Sequence, residues 1–125
     1  MIDFENFKPD NNSPIYQQIL QYIKQGAVAG TIKNGDPLPS RRNLSALLGI
    51  NPNTVQKAFS MLEEEGLVES RTGAKSVMVL DEEKISALRM ELLSESVRIL
   101  TRKMHQMGIS KEEALALIDR SWEEE

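Results

Sequence analysis

The sequence predicts a mainly α-helical protein with one small β-hairpin. Three observations predict this fold class. Two short amphipathic helices with start and stop signals lie between residues 38 and 66. Two β-prone runs flank a basic, glycine-containing turn directly after them, and two further helices free of proline complete the chain. The expected architecture is therefore an N-terminal winged helix-turn-helix followed by a C-terminal helical hairpin.

The charge of the 125-residue chain is unevenly distributed. The formal net charge is −4, but residues 13–80 carry a net charge of +2 and residues 81–125 a net charge of −4. Because a polyanion is steered by the local field, the acidic sum does not exclude nucleic acid as a partner. So small a basic surplus predicts weak non-specific binding and an affinity that depends on dimerisation.

Composition argues against several other classes of protein. The absence of cysteine excludes disulfides and thiolate metal sites, and the one histidine, His105, lies in a helical stretch where packing or solvation is the usual role. There is no glycine-rich phosphate loop after a strand, and the carboxylates of Glu63, Glu64 and Glu65 point in three directions on a helix. We therefore expect no metal, no cofactor and no enzymatic activity.

No apolar run in the sequence is long enough to span a membrane, and no basic segment followed by an apolar one opens the chain. The sequence therefore predicts a soluble cytoplasmic protein without a membrane partner.

Residues 1–12 are expected to form an extended arm that ends in a turn at residues 9–12. The apolar residues Ile2, Phe4 and Phe7 should pack either on their own chain or on a partner. Ser13 is then expected to cap the first long helix, with Pro14 in its first position and Gly30 at its end. The buried stripe of that helix should contain Ile15, Ile19, Tyr22 and Ile23, and Gly26 interrupts the helix for a reason other than propensity.

After a turn at residues 34–37, Ser40 suits the N-cap of a short helix that Gly49 ends. Leu44, Leu47 and Leu48 are expected to form its apolar face. Asn51 then caps a second helix, Pro52 occupies its first turn and Gly66 stops it. The buried stripe of the second helix should consist of Val55, Ala58, Phe59 and Leu62.

The opposite face of this second helix carries the candidate chemistry, namely Asn53, Gln56, Lys57 and Ser60. Amides can bond base edges in a major groove, whereas lysine and hydroxyl groups can reach phosphates. A face that served only solubility would more often carry Glu and Lys. The pattern favours nucleic-acid binding, and the alternative is a small helical hairpin with a solvated face.

The sequence predicts two strands, at residues 67–70 and 76–80, around the basic turn at residues 71–75. Behind a helix pair, such a hairpin is a wing that can lie along a nucleic-acid backbone or enter the minor groove. Arg71 and Lys75 would supply the charge and Gly73 would permit close approach. The alternative is a hairpin with a structural role only.

The tail has more apolar surface than one chain can bury. Asp81 is expected to cap a helix that reaches Met107, and Ser110 with Glu113 forms a capping box for the last helix after Gly108. One stripe of the long helix is Ile85, Leu88, Leu92 and Ile99, and a second has the spacing of a coiled-coil seam. The expected partner is a second copy; the alternative is a hairpin folded only on its own chain. The candidate dimerisation residues are Leu92, Leu93, Val97, Leu100, Met104, Met107, Leu115, Ile118 and Trp122, with Ala114 on the same face of the last helix.

From Pro14 to Val79, about half of the chain, the sequence resembles the GntR family of bacterial winged-helix transcription regulators. The resemblance rests on Pro14-Ile15-Tyr16-Gln17-Gln18-Ile19 and on the segments 35–44, 51–58 and 62–68, which read GDPLPSRRNL, NPNTVQKA and LEEEGLV. The start NPNT and the short two-helix tail are similar to the YtrA-type subfamily. That subfamily lacks the large ligand-binding domain of its relatives.

The resemblance implies roles for individual residues. Arg42 matches an arginine that contacts DNA, and Gly73 matches the glycine at the wing tip. Asn51, Asn53, Thr54 and Gln56 match recognition-helix positions. The full set of candidate DNA contacts is Arg41, Arg42, Asn51, Asn53, Thr54, Gln56, Lys57, Ser60, Arg71, Gly73 and Lys75.

The sequence also departs from the family pattern. Lys75 stands where a second wing glycine is usual and Val77 where an aromatic is usual, which leaves the path of the wing open. Many relatives carry arginine in place of Pro52 and Gln56, so the operator should differ from theirs.

Together these features predict an arm (1–12), a winged helix-turn-helix domain (13–80) and a two-helix dimerisation tail (81–125). The expected protein is a homodimeric, sequence-specific regulator of transcription that binds a palindrome in double-stranded DNA. Repression of a transporter operon is implied by the subfamily resemblance alone, and whether a small-molecule effector exists is open. The alternative is a winged-helix module for protein–protein interaction, assembled through its helical tail.

Overall fold

The computed structural model describes residues 1–71, 73 and 75–125. Its elements are α1 (Ile15–Ala29), α2 (Arg41–Leu48), α3 (Pro52–Glu64), β1 (Val68–Arg71), β2 (Lys75–Met78), α4 (Glu82–Gln106) and α5 (Lys111–Glu124). The predicted fold class is confirmed, because helices dominate and the two strands form one antiparallel sheet. The contacts divide the chain into two units, Met1–Arg89 and Met90–Glu125. The predicted boundaries of arm, winged domain and tail stay predictions.

The N-terminal arm packs on its own chain, through Tyr22 of α1. The ring of Phe4 stacks on that of Tyr22 with 5.0 Å between centroids, and the ring of Phe7 meets Tyr22 edge-on at 5.4 Å. The Tyr22 hydroxyl donates to the backbone carbonyl of Asp3 at 2.7 Å. Burial, and secondly the negative charge of Asp3, raise the pKa of Tyr22.

The start of α1 corrects one prediction. Ser13 does not cap the helix, because Pro14 itself occupies the N-cap with an extended ψ of 144° and makes no side-chain cap bond. At the other end, Gly30 adopts φ 87° and donates to the carbonyl of Gly26, as its predicted role requires. Gly26 is explained by packing, since a Cβ there would lie 2.5 Å from Cδ1 of the buried Ile32.

The caps of the central helix pair are as predicted: Ser40 Oγ accepts from the Asn43 backbone N–H, and Asn51 Oδ1 accepts from that of Asn53. The apolar face predicted for α2 is wrong at Leu47, which is 68% exposed. Successive residues of a helix point about 100° apart, and Leu44 and Ser45 are both buried. The core-facing side of α2 is therefore centred between Leu44 and Ser45. Leu47 lies on the far side of Leu44 and therefore faces outward.

The two strands pair antiparallel, from Val68 opposite Met78 to Arg71 opposite Lys75. The predicted wing is therefore present, although Thr72 and Ala74 of its turn lie outside the described residues. A third segment, not predicted, bonds to the outer edge of β2. The Leu38 N–H donates to the Ser76 carbonyl and the Met78 N–H donates to that of Asp36, each at 2.9 Å. These bonds fix the wing to the chain that leads into α2.

The core of the first unit forms where α1, α2 and α3 meet the sheet. It includes Val55, Ala58, Phe59 and Leu62, the stripe predicted for α3. Lys24 of α1 is 7% exposed, and its Nζ lies 2.9 Å from Glu65 Oε1 at the end of α3. This part-buried pair links α1 to the residue that follows α3.

The last two helices also start as predicted. Asp81 Oδ1 accepts from the Lys84 backbone N–H, and Ser110 Oγ accepts from that of Glu113. Helix α4 ends at Gln106, one residue before the predicted end. Leu88 is the one residue of α4 that is buried, whereas the fully described α5 has none.

Candidate nucleic-acid interface

The exposed side of α3 carries the side chains that the sequence singled out. Asn53, Gln56 and Lys57 are exposed and Ser60 is half-buried, while the opposite face of the helix fills the core. The helix therefore presents an amide-rich surface to solvent on a rigid support. Such a surface can offer both hydrogen-bond donors and acceptors to base edges.

At the start of α3, Asn51 uses some of its hydrogen-bonding groups to cap the helix. The side-chain oxygen of Asn51 accepts from the Asn53 N–H at 2.8 Å, and its backbone carbonyl accepts from the Thr54 N–H at 3.0 Å. The amide nitrogen of Asn51 then remains as the donor that can reach a ligand. Thr54 is half-buried, whereas Asn51 is exposed.

One hydrogen bond orders the middle of this face. Gln56 Nε2 donates to Ser60 Oγ, one turn further along α3, at 2.9 Å. The bond leaves the Gln56 carbonyl oxygen and one amide hydrogen for a ligand. It thus brings together two of the predicted contact residues and restricts the rotamers of both.

Lys57 is held by a residue that the sequence analysis did not select. Its Nζ lies 4.0 Å from the centroid of the Tyr16 ring, on the first turn of α1. A cation at this distance over an aromatic face is attracted by the ring quadrupole. Tyr16 belonged to the family motif, but its contact with Lys57 joins two helices, and no local pattern reports such a contact.

The start of α2 lies beside the wing. Arg41, Asn43, Gly73 and Lys75 line one groove, with Phe59 among its apolar lining residues. The guanidinium of Arg41 lies 5.9 Å from the Phe59 ring centroid, and its Nε is buried with no hydrogen-bond partner in the described part of the chain. The groove therefore offers cations from two elements that are separate in sequence. Asn43 was not among the predicted contacts.

Arg42 is exposed on the next position of α2. At the tip of the wing, Arg71 and Lys75 are directly opposite each other, so their side chains project from the same face. Both are exposed, and Glu69 Oε1 lies 3.8 Å from Arg71 Nε. Gly73 adopts φ 82°, which favours glycine, and apart from its chain neighbours no described residue lies within 4 Å of an added Cβ.

All eleven predicted DNA contacts thus lie in the unit Met1–Arg89. They fall into an amide-rich helix face, a cationic groove at the start of α2, and the wing tip. Among the described residues, no group of three His, Cys, Asp or Glu side chains could hold a metal ion. No helix in the described ranges is both long and apolar enough to cross a membrane.

The unit Met90–Glu125, which is described throughout, contains no buried residue. Of the nine predicted dimerisation residues, Leu92 and Met104 are half-buried and the other seven are exposed, Trp122 by 77%. Leu100, Met104 and Ile118 line a shared apolar cleft between α4 and α5. Leu117 also lines this cleft. It was not among the predicted dimerisation residues, because on α5 it lies next to the apolar stripe rather than within it.

Comparison with known proteins identifies the family of this chain. Residues 15–77 match the model for bacterial regulatory proteins of the gntR family. The HTH-type transcriptional repressor YtrA of Bacillus subtilis is 35% identical over 106 residues, which are 83% of this chain and 81% of that protein.

Solved structures agree with this result. A GntR family transcriptional regulator from Listeria monocytogenes superposes with a TM-score of 0.81 at 32% identity, covering 90% of this chain and 98% of its own. YtrA from Sulfolobus acidocaldarius, a GntR-family transcription factor, gives 0.55 at 28% identity, with 94% and 96% covered.

Proposed function

This chain belongs to the GntR family of bacterial regulatory proteins, and on that premise we propose that it is a homodimeric repressor that reads a palindromic operator. The predicted resemblance to the YtrA type is confirmed. Members of this family are DNA-binding regulators and not enzymes, so no catalytic role is assigned. Because such a regulator works on the chromosome, the proposed location is the cytoplasm.

The exposed face of α3 is the observation that carries the proposal. In a winged helix-turn-helix the second helix of the pair enters the major groove, with its N-terminal residues nearest the bases. The proposed base contacts are therefore Asn51, Asn53, Thr54 and Gln56, with Ser60 orienting Gln56. Amide side chains are suited to adenine, which presents an acceptor and a donor side by side in that groove.

Phosphate contacts are proposed for the cations around this face. Arg41 and Arg42 begin α2, Lys57 lies beside the helix face, and Arg71 and Lys75 lie at the wing tip with Gly73 between them in sequence. Contacts of this kind position a protein on the duplex but carry no sequence information. Their small number suits a protein that needs two subunits for useful affinity.

Dimerisation is proposed because of the unit Met90–Glu125. A helical hairpin without one buried residue is not stabilised by its own core, since burial of apolar side chains is the main favourable term in folding. Exposed apolar patches of this extent mark interaction sites. A second copy would cover the apolar cleft between α4 and α5 and its rim in a four-helix arrangement.

Recovery of bound fragments from digested genomic DNA tests this function. We expect an enriched inverted repeat whose half-sites are centred about one helical turn apart, or a multiple of it. The YtrA-type resemblance further suggests that the fragments lie before a transporter operon. Fragments without a shared inverted repeat would contradict the proposal. Binding to random duplex DNA that is indifferent to salt would favour the protein-interaction alternative.

A further inference from the structure

We propose that Tyr16 of α1 is a positioning residue for DNA binding, acting by holding the ammonium of Lys57 at the edge of the recognition surface. The proposal rests on the proposed function and adds to the interface a residue outside the helix pair and the wing. Tyr16 itself is not assigned a base contact.

The geometry of the pair is that of a cation over an aromatic face. Lys57 Nζ lies 4.0 Å from the ring centroid, well inside the range in which this attraction is significant. Tyr16 is half-buried on the first turn of α1, so its ring has a fixed support, whereas Lys57 is exposed. Gln17 Nε2 also donates to the Tyr16 hydroxyl oxygen at 3.2 Å, which further restrains the ring.

An aromatic partner differs from a carboxylate in what it leaves for a ligand. Among the residues that the structure describes, no carboxylate oxygen lies within 4.0 Å of Lys57 Nζ. A carboxylate partner would partly cancel the positive field of Lys57 at a nearby phosphate. An aromatic ring restrains the flexible lysine side chain but leaves its full positive charge. Lys24, on the same pair of helices, has the opposite arrangement, since it is buried and paired with Glu65.

These two lysines make two separate contacts between α1 and the segment from α3 to Glu65. Tyr16 meets Lys57, and eight positions further along each segment Lys24 meets Glu65. These two contacts lie on either side of the apolar packing between α1 and α3, which holds the two helices in one register. Because that register places the Tyr16 ring beside Lys57, the ammonium is held next to Gln56 on the exposed face before DNA arrives.

A double-mutant cycle on the full chain tests the proposal. The variants are Tyr16→Leu, Lys57→Ala and the double variant, with Tyr16→Phe as the conservative control because phenylalanine keeps the aromatic face. The probe is a fluorescently labelled DNA duplex of mixed sequence, titrated at several salt concentrations. Circular dichroism and thermal unfolding of each variant report whether the fold is retained.

We expect Tyr16→Leu to weaken binding about two- to fivefold and to lower the slope of log affinity against log salt by up to about one. Tyr16→Phe should bind like the wild type. The double variant should bind no more weakly than Lys57→Ala alone, because the effect of the ring passes through the lysine.

Three outcomes would overturn the role of Tyr16: losses that add in the double variant, an unchanged salt slope in Tyr16→Leu, or a Tyr16→Phe variant as weak as Tyr16→Leu. The last would place the effect in the hydroxyl rather than the ring. Binding by the wild type distinguishes a failure of this inference from a failure of the proposed function. A wild type that does not bind the duplex overturns the proposed function, whereas wild-type binding with an additive cycle overturns the role of Tyr16 alone.

Discussion

Gln56 Nε2 donates a hydrogen bond to Ser60 Oγ at 2.9 Å, so this amide on the exposed face of α3, the recognition face, is ordered by a neighbour one turn away. Such a bond fixes the side-chain rotamer in the free protein and lowers the entropy lost on binding. The amide retains an acceptor and a donor for one base edge. Gln56 is therefore the residue for which a base-specific role can be tested most directly.

Replacement of Gln56 by alanine should relax specificity at one base position of each half-site. We expect a loss of about 1–3 kcal/mol for the preferred base, because a bidentate amide contact discriminates by that amount. The measurement is binding to a panel of duplexes that differ from the recovered operator at single positions. Gln21→Ala, an exposed glutamine of α1 outside the interface, is the matched control.

For this substitution the pattern of losses matters more than their size. Equal weakening on every duplex of the panel would show that Gln56 supports binding without reading a base. If Gln56→Ala still distinguishes the bases as the wild type does, Asn53 or Asn51 on the same face would be the base-reading residue instead.

Replacement of Lys57 or Lys75 by alanine should weaken binding to all sequences alike. Each lysine is proposed to neutralise a phosphate, so each loss should reduce the salt slope by about one per subunit. The measurement is affinity for operator and for mixed-sequence DNA across a salt series. Lys103→Ala removes the same charge from α4, outside the proposed interface, and should leave the slope unchanged. An unaltered slope in either test variant would remove that lysine from the phosphate contacts.

Sequence reasoning was most accurate where the structure depends on near neighbours. The caps at Ser40, Asn51 and Ser110 each involve a backbone N–H two or three residues away, so residue type and position suffice to predict them. The apolar stripe of α3 is likewise set by helical periodicity. The exposed polar face of that helix, and hence most of the candidate recognition residues, followed from the same pattern.

Features that depend on distant neighbours were missed. Periodicity does not say which element covers a face, so Leu47 was assigned to a core that α2 meets through Leu44 and Ser45 instead. The bonds that join residues 36–38 to β2 arise from backbone atoms and leave no mark on side-chain pattern. The contact of Tyr16 with Lys57 was also not predicted, because it exists only once α1 and α3 have packed.

The N-terminal arm should loosen at high pH because of Tyr22. Its neutral hydroxyl donates to the Asp3 carbonyl, and its pKa is raised in the folded state by burial and by the charge of Asp3. A raised pKa stabilises the fold fully below the unfolded-state value of about 10, and this contribution is lost as the pH rises through the folded-state value. We expect the free energy of unfolding to fall with pH in that range more steeply for the wild type than for Tyr22→Phe.

Urea unfolding from about pH 8 to about pH 11 measures this difference. All other titratable groups are the same in the two proteins, so comparing them isolates the phenol of Tyr22. The Phe variant should also be less stable near neutrality, by about 1 kcal/mol, because it lacks the hydrogen bond to Asp3. Parallel pH profiles for the two proteins would show that ionisation of Tyr22 does not control the arm.

Replacement of Leu100 by aspartate should separate the two subunits. In one chain this side chain is 43% exposed, so a charge there costs the monomer little. In the proposed dimer it would be buried beside Met104 and Ile118 of the apolar cleft without a partner. The penalty for an unpaired buried charge is on the order of 3 kcal/mol, so the dimer should dissociate at least about a hundredfold more readily. Sedimentation equilibrium of the purified protein measures the change.

The effect of this same substitution on DNA binding tests whether the tail matters through dimerisation. The recognition face lies in the other unit, so a Leu100→Asp monomer should still bind mixed-sequence DNA weakly. It should lose its preference for an inverted repeat over a single half-site, because two half-sites are read together only by a dimer. Arg102→Asp, a larger change of charge on the opposite face of α4, is the control and should leave the dimer intact. If Leu100→Asp is monomeric yet distinguishes the repeat from the half-site as the wild type does, the operator is not read by a pair of subunits joined through this tail.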